Sequence, residues 1–234
     1  MPSRTRFSLP LLALLAICQL ASPAAAARDP LEPVNRRIHA LNQGLQAWLL
    51  GPAVELYMAA TTPGFRTGLS NALGNLGEPV SAVSSIAAGD FGRAANAALR
   101  FGINTTLGVG GIHDAATPLG FPRRPLPPAD AVCSWGVPSG PFLVLPLLGP
   151  STLRDAGTVA LTSAALSQLV GQELFLGWRG SDLFTGYANV HHELRRIDAE
   201  ALDSYAIHRS AYLQRRAAAC AVDRHAATEA EEVE

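Results

Sequence analysis

The residues that could act as acids, bases or metal ligands fall in two short groups. The first is the pair His113-Asp114, and the second is the run His191-His192-Glu193. A histidine beside a carboxylate can transfer protons near neutral pH, and histidine is a common zinc ligand. Adjacent histidines point to different sides of a helix, however, whereas a helical metal site uses an i, i+4 pair. Both groups are therefore interpreted as structural, the first at a helix end and the second on a solvated helix face.

Nucleophilic and phosphate-binding motifs are missing from the sequence. A serine nucleophile favours a strained G-x-S-x-G turn, and no such pattern occurs. The glycines at 108, 110 and 111 resemble a phosphate loop, but no Lys-Ser/Thr pair follows them, so they are interpreted as a turn. The sequence predicts no enzymatic activity, no cofactor and no bound metal.

A different chemistry is indicated by polar residues embedded in small and apolar segments. Burying a polar group costs roughly 2–7 kcal/mol unless it is hydrogen-bonded. Such residues are kept where they bind one another or the polar head of a ligand. They are also consistent with helix caps and internal bonds that hold Gly/Pro-rich loops together. The candidates are Asn35, Arg36, Asn71, Asn75, Arg100, Asn104, Asp114, Arg154 and Asp155.

Most of the segments that carry these residues are predicted to be helical. Apolar residues recur at spacings of three and four over residues 35–59, with an interruption at Gly51-Pro52. Asp90 is expected to cap a helix that runs to about Thr106, and Thr152 opens a capping box for a helix to about residue 170. Three further helical segments are predicted: residues 53–60, a segment from residue 65 that Pro79 breaks, and a polar last helix at about residues 182–221.

The centre of the chain is predicted to be irregular. Residues 117–141 contain seven prolines, at positions 118, 122, 125, 127, 128, 138 and 141. The apolar run 142–148 that follows predicts either a buried strand or an extended segment lying on a membrane. Pro146 argues against a central strand, because proline cannot donate a ladder hydrogen bond.

The first 27 residues have the three-part pattern of a secretory signal. Arg4 and Arg6 precede an apolar run, and a stretch of alanines ends at residue 27. Cleavage within the alanines and lipid attachment at Cys18 are both open, and the bulky Ile17 before the cysteine favours cleavage. A transmembrane anchor is a third alternative, which the short apolar run disfavours because a spanning helix needs about 20 residues. Removal of residues 1–27 leaves a helical domain at 28–221 and an acidic, disordered tail at 222–234.

Export places the two remaining cysteines in an oxidising compartment. A disulfide between Cys133 and Cys220 could persist there, but the sequence leaves open whether the two side chains meet.

Charge and hydropathy exclude one class of partner and favour another. The net charge is −1 and basic residues cluster only in short doublets, which argues against a nucleic-acid partner. Charged residues make up 16% of the chain, below the roughly 25% of ordinary soluble domains, and the mean hydropathy is +0.18. Such a chain either has a large core or contacts lipid.

Five ordered segments carry a resemblance to a known family. They read DPLEPVNR, NALGNLGEPVSAV, GDFGRAANAALRFGINTTLGVGGIHDAA, WGVPSGPFLVLPLLGPSTLRDAG and LDSYAIHRSAYLQRR. In this order and at comparable spacing they resemble the MlaA/VacJ family of outer-membrane phospholipid-handling proteins, which are usually lipid-anchored. The resemblance extends over about residues 29–216.

The resemblance implies a fold and a function. The expected fold is mainly α, a single ring-like helical domain with interfacial amphipathic helices and long Pro/Gly-rich loops. It would lie at the periplasmic face of the outer membrane of a Gram-negative bacterium. Mislocalised phospholipid from the outer leaflet would enter a polar-lined channel and pass to a soluble periplasmic lipid carrier, which maintains lipid asymmetry. A trimeric porin is the expected membrane partner.

The resemblance also implies a gate near the first helix. In the family this helix borders a flexible hairpin whose disturbance lets lipid leak, and the matching stretch here contains Asn42, Gln43 and Gly44. Gly44 is the predicted hinge, because glycine has no Cβ penalty.

The segment DPLEPVNR is expected to be a rigid strap, residues 29–36, whose charged groups are fastened to the body of the domain.

Two alternatives to lipid transport remain at this stage. One is a secreted hydrolase that acts on lipids, and the other is a structural envelope protein whose groove binds another protein. A phospholipid that co-purifies intact would favour transport over both.

Overall fold

The structure of the protein is a computed structural model that describes residues 29–231, with side chains described for residues 29–220. The signal segment and Cys18 lie outside the described residues, so cleavage and lipid attachment stay predictions. The chain is mainly α, as predicted. Its elements are α1 (Glu32–Leu45), a π-helical turn (Gln46–Leu50), α2 (Gly51–Ala60), α3 (Pro63–Ala87), α4 (Phe91–Thr106), a 3-10 turn (Thr117–Leu119), α5 (Pro128–Ser134), β1 (Phe142–Leu145), β2 (Gly149–Thr152), α6 (Leu153–Val170), α7 (Gln172–Glu200) and α8 (Ser204–Glu231).

Local capping fixes the start of two helices where the sequence predicts it. The Asp90 carboxylate accepts a hydrogen bond from the Arg93 amide at 2.8 Å and so begins α4. The Thr152 hydroxyl accepts one from the Asp155 amide at 3.3 Å and begins α6. Each bond satisfies one of the backbone donors that the first turn of a helix leaves unpaired.

Of the two interpretations of the run 142–148, the structure shows the strand, but only over residues 142–145, where it belongs to a hairpin. β1 and β2 are antiparallel, with Phe142 opposite Thr152 and Leu145 opposite Gly149. Pro146 lies in the turn between them, where no ladder hydrogen bond is required of it.

The predicted break at Pro79 is wrong. α3 continues through Pro79 to Ala87, although proline removes one helical hydrogen bond and crowds the preceding turn. The helix lies against α4, α5 and α7. Tertiary contacts along its length therefore outweigh the local cost of the proline.

The predicted single helix over residues 182–221 is also wrong, because the helix is interrupted at residues 201–203. The Asp203 carboxylate accepts a hydrogen bond from the Ala206 amide at 3.1 Å, so it caps the start of α8. The cap signal Asp203-Ser204 is present in the sequence but sits inside a continuous polar pattern. α8 is helical to Glu231, over much of the segment for which the composition predicts a disordered tail.

Packing contacts connect the elements in a closed circuit. From α1 the contacts run through the π turn and α2 to α7, then through α6 and α5 to α8, and through the hairpin back to α1. α3 lies against α4, α5 and α7. A closed circuit of contacts is what a ring-like domain requires, and it brings α1 and the start of α8 together.

A disulfide closes part of this circuit. Cys133 at the end of α5 is bonded to Cys220 in α8, with their Cα atoms 5.5 Å apart. The structure thus answers the question that the sequence leaves open. The bond encloses a chain separation of 87 residues, so it joins the middle of the domain to its last helix.

Large apolar side chains cover much of the surface. None of the helices in the described residues is long and apolar enough to cross a bilayer. Extensive exposed apolar surface marks contact with a partner or a lipid phase. Strongly exposed examples on several helices are Trp48, Leu49, Leu56, Phe65, Val83, Leu161, Leu169, Leu174 and Leu176.

Candidate functional site

The segment at residues 29–36 is fastened to the hairpin and to α8 through Asp29, Asn35 and Arg36. The prediction of a strap outside a helix is wrong for residues 32–36, which form the start of α1, where a proline in the first turn has no helical hydrogen bond to lose.

Asn35 is buried, and its amide donates to the Asp29 carboxylate at 3.0 Å. Tyr205 of α8 donates its hydroxyl hydrogen to the same carboxylate. Asn35 also donates to the Phe142 carbonyl at 3.1 Å and accepts from the Val144 amide at 2.9 Å. One side chain therefore covers the free edge of β1.

A second asparagine repeats this contact two helical turns later. Asn42 donates to the Leu145 carbonyl at 2.9 Å and accepts from the Leu147 amide at 2.9 Å. Seven residues of helix rise about 10.5 Å, and the three strand residues between the two contacts cover about 10 Å. The spacing of the two asparagines along the helix therefore matches the spacing of their contacts along the strand. Asn35 and Asn42 together hold the hairpin against α1.

Arg36 ties the strap to the start of α8. Its guanidinium donates two hydrogen bonds to the Asp203 carboxylate, at 2.7 and 3.0 Å, and one to Glu32 at 2.8 Å. It also stacks over the Tyr205 ring at 4.5 Å. The hydrogen bonds from Arg36 and from the Ala206 amide lower the pKa of Asp203 to about 2. Asp203 therefore stays ionised and keeps its role as a helix cap.

The remaining predicted gate residues lie inside α1. Gln43 donates to the Ser204 hydroxyl at 3.0 Å, so it joins α1 to the start of α8. Gly44 has helical backbone, and a Cβ built on it would have no neighbour within 4 Å among the described residues. The π-helical turn begins two residues later. The backbone irregularity near the predicted hinge is therefore this wide turn, and a hinge at Gly44 stays a prediction.

Five of the predicted polar residues meet between α3, α4 and the loop after α4. Arg100 is buried, and its guanidinium donates to Glu78 at 2.7 Å, to the Phe121 carbonyl at 2.6 Å and to Asp114 at 3.4 Å. It also donates to the Thr117 hydroxyl at 3.1 Å. Arg100 thus joins two helices and an irregular loop through a single side chain.

Three asparagines complete this cluster. Asn104 accepts from the Ala116 amide at 2.9 Å, and Asn71 donates to the Ile112 carbonyl at 3.1 Å. Asn75 donates to the Thr105 hydroxyl at 2.9 Å. The contacts of Asn104 and Asn71 satisfy backbone groups of the loop. The contact of Asn75 braces α4, the helix that precedes the loop.

The electrostatics of the cluster favour its charged form. Burial alone would raise the pKa of Asp114, but hydrogen bonds from Thr117 and Arg100 lower it below the usual range. The cavity between these residues has a volume of about 20 Å³, which is room for one water molecule. In this structure the cluster therefore braces the loop, and it has no space for a phospholipid headgroup.

Arg154 and Asp155 belong to a separate network of hydrogen bonds and ion pairs. Arg154 donates to Asp155 at 2.9 Å, and Tyr212 donates its hydroxyl hydrogen to the same carboxylate at 2.6 Å. Arg216 lies 2.9 Å from Asp155 and also binds Asp130 of α5. Burial and the hydrogen bond to Asp155 raise the pKa of Tyr212 to about 12. The network is structural, because it joins α5, α6 and α8.

A further cavity lies between the first helical segments and α7. Its volume is about 450 Å³, which is within the range of small-molecule sites. The π turn and the start of α2 form one wall, and the last turns of α7 form the other. The lining residues are Gln43, Gln46, Ala47, Gly51, Pro52, Glu55, Arg195, Asp198 and Ala199.

Charged groups and apolar groups meet at this cavity. Arg195 donates to Glu55 at 3.0 Å, and both side chains remain more than half exposed, at 64% and 60%. Asp198 lies 2.9 Å from the His208 ring nitrogen. Trp48, on the same π turn as the lining residue Gln46, is 86% exposed. A polar interior beside exposed apolar side chains suits a ligand with one polar and one apolar end.

Sequence reasoning missed Glu55, Arg195 and Asp198 as site residues. Glu55 is the only charged residue of α2, which is a detectable signal. Arg195 and Asp198 belong to a long polar helix, where nothing local separates them from solvated charges. Only the packing of α7 against α2 brings them to the cavity.

His191 corrects another interpretation, because it is fully buried and does not lie on a solvated face. Its Nδ1 is 3.0 Å from the Tyr187 hydroxyl. Gly51 lies next to the ring, and a Cβ there would come within 2.8 Å of the Gln46 carbonyl oxygen, so the π turn requires glycine at this position. His192, the next residue, is exposed.

Stability is expected to fall as the pH is lowered through about 6.5. Burial lowers the pKa of His191 below 6.5, and His192 and Arg195 act in the same direction. The unfolded chain then binds more protons than the folded one, so acidification favours unfolding. Urea unfolding at several pH values measures this slope. His191→Gln should flatten it most, and His192→Gln should flatten it only slightly, because that variant removes one contribution to the lowered pKa of His191 and keeps its burial. Equal slopes in both variants would contradict the assignment.

The sequence of this chain is similar to those of known proteins. A family model described as MlaA lipoprotein matches residues 27–219. A protein of Rickettsia bellii is 31% identical over 81% of this chain and 76% of its own length. A protein of Rickettsia felis is 32% identical over 61% of this chain and 57% of its own. The matched region thus spans little more than half of some relatives.

Two further relatives carry functional descriptions. The intermembrane phospholipid transport system lipoprotein MlaA of Escherichia coli is 35% identical over 55% of this chain and 53% of its own length. A solved structure, described as the structural basis for maintenance of bacterial outer membrane lipid asymmetry, superposes with a TM-score of 0.72. It is 29% identical and covers 82% of this chain and 99% of the solved one.

Proposed function

Because the chain belongs to the MlaA lipoprotein family, we propose that it transports phospholipid and so maintains the lipid asymmetry of the outer membrane. Its substrate is phospholipid mislocalised to the outer leaflet. It acts at the periplasmic face of the outer membrane of a Gram-negative bacterium and passes the lipid to a soluble periplasmic carrier. A trimeric porin is the proposed membrane partner.

One observation carries this proposal. The cavity of about 450 Å³ is lined by charged and amide side chains, and the helical segments that form its walls carry strongly exposed apolar side chains. An amphiphile can place its headgroup in such a cavity while its chains stay on the apolar surface. The exposed apolar residues of α2, α3, α6 and α7 supply the surface that contacts the membrane or the porin.

We propose transport without bond breaking. The polar groups at the cavity are an ion pair, a carboxylate and two amides, which bind a headgroup and leave it unchanged. The buried clusters around Arg100 and Asp155 act as braces, the first between α3, α4 and the following loop and the second between α5, α6 and α8.

The proposed function is tested by deleting the gene in the bacterium that carries it. Phospholipid in the outer leaflet is expected to increase, measured by labelling of exposed headgroups in intact cells, and sensitivity to detergent should rise. The wild-type gene should restore both, and mass spectrometry of the purified protein should detect intact phospholipid. A deletion strain with unchanged outer-leaflet lipid would overturn the proposal, and co-purification of cleaved lipid would favour a hydrolase.

A shortened α1 is expected to misgate the passage. Deletion of Asn42 and Gln43 rotates every later residue of the helix by roughly 200°. It also removes the contacts to the hairpin tip and to Ser204. We expect a folded protein that leaks lipid and weakens the outer-membrane barrier dominantly over wild type.

Detergent and antibiotic sensitivity of cells that carry both alleles measures this effect. Asn42→Ala combined with Gln43→Ala is the matched control, because it loses the side-chain contacts and keeps the helical register. A mixed strain that behaves as wild type while the shortened protein is present at its normal level would show that the deletion does not open a gate.

A further inference from the structure

Negative charges outnumber positive ones at the cavity of about 450 Å³. Two carboxylates, Glu55 and Asp198, and one guanidinium, Arg195, line it, which gives a net charge of −1. The other lining side chains carry no charge, and Gln43 and Gln46 add amide groups. A headgroup with a net negative charge is therefore repelled, whereas one that carries both a cation and an anion can be matched at both ends.

Each of the three charged groups keeps bonding capacity for a ligand. Among the described residues, Arg195 donates through Nη1 to Glu55 Oε1, and its remaining N–H groups are available. Glu55 Oε2 is likewise uncommitted within the described part of the chain, and Asp198 contacts His208 through Oδ1. An arginine fork suits a phosphate, and paired carboxylates suit an ammonium group.

The helical segments that line the cavity also carry exposed apolar side chains. Trp48 and Leu49 belong to the π turn that forms one wall, and Leu56 follows Glu55 in α2. All three side chains are strongly exposed. A lipid whose headgroup enters the cavity therefore finds exposed apolar side chains for its acyl chains on the same helical segments.

We propose that this cavity selects zwitterionic phospholipid headgroups over anionic ones. Arg195 binds the phosphate, while Glu55 and Asp198 bind the ammonium group. The inference rests on the proposed function, because it assumes that phospholipid is the ligand. It adds which charge class of phospholipid is accepted and which three residues make the choice.

Binding of two short-chain lipids to the purified mature protein tests the inference. Dihexanoyl phosphatidylethanolamine and dihexanoyl phosphatidylglycerol, each below its micellar concentration, are titrated by calorimetry. Wild type is expected to bind the zwitterionic lipid about tenfold more tightly, a difference near 1.4 kcal/mol. Glu55→Gln and Asp198→Asn should each reduce this ratio, and the double variant should abolish it while still binding lipid.

Glu193→Gln is the matched control. It removes the same charge from α7, in an exposed ion pair with Arg196 outside the cavity, so the wild-type ratio should remain. Equal affinities of wild type for both lipids, or an unchanged ratio in the double variant, would overturn the headgroup inference while the proposed function stands. Binding of neither lipid, together with unchanged outer-leaflet lipid in the deletion strain, would overturn the proposed function as well.

Discussion

Replacement of Arg100 by alanine is expected to lower the free energy of unfolding by about 3–5 kcal/mol. Arg100 and Glu78 form a buried ion pair, with side chains only 4% and 3% exposed. Removing the guanidinium leaves the Glu78 carboxylate buried without its cation, which is the costly way to break such a pair. The carbonyl of Phe121 loses its donor at the same time.

Urea unfolding of the purified protein in detergent measures this loss. Arg196→Ala is the matched control, because its ion pair with Glu193 is exposed on both sides and should contribute at most about 1 kcal/mol. The double variant Glu78→Met, Arg100→Met should be more stable than Arg100→Ala, since no buried charge is left unpaired. Equal unfolding midpoints for Arg100→Ala and Arg196→Ala would mean that the buried pair does not brace the loop.

Loss of the disulfide is the second large effect. Cys133 and Cys220 close a chain separation of 87 residues, for which the chain-entropy model gives about 4.5 kcal/mol. We expect the double variant Cys133→Ser, Cys220→Ser to unfold with a free energy about 2–5 kcal/mol lower than the oxidised wild type. The physical reason is that the bond restricts the unfolded chain and fixes α8 to α5.

Unfolding with and without dithiothreitol separates the disulfide from the substitutions. Reductant should destabilise wild type by nearly the amount lost in the double variant, and it should leave the variant unchanged. If oxidised and reduced wild type unfold at the same urea concentration, the bond contributes nothing and the contacts of Arg216 with Asp130 and Asp155 hold α8 in place.

The helical class, the resemblance to the family and two helix starts could be predicted from the sequence alone. A cap such as Asp90 or Thr152 acts within one turn, so the residues that determine it are neighbours in the chain. Polar residues in apolar segments could also be identified, because a buried amide or guanidinium must find partners whatever the fold. Asn35, Asn104 and Arg100 meet that expectation with backbone groups or charged partners.

Which partners they find was decided only by the tertiary structure. Asn35 bonds a strand 107 residues away and Arg195 bonds a carboxylate 140 residues away, and no local pattern encodes distances of that kind. The helix through Pro79, the burial of His191 and the disulfide have the same origin. Each depends on how whole helices pack, since contacts from neighbouring elements can outweigh a local preference of a few kcal/mol. The polar cavity exists for this reason as well, because its two walls are far apart in the chain and meet only when α2 lies against α7.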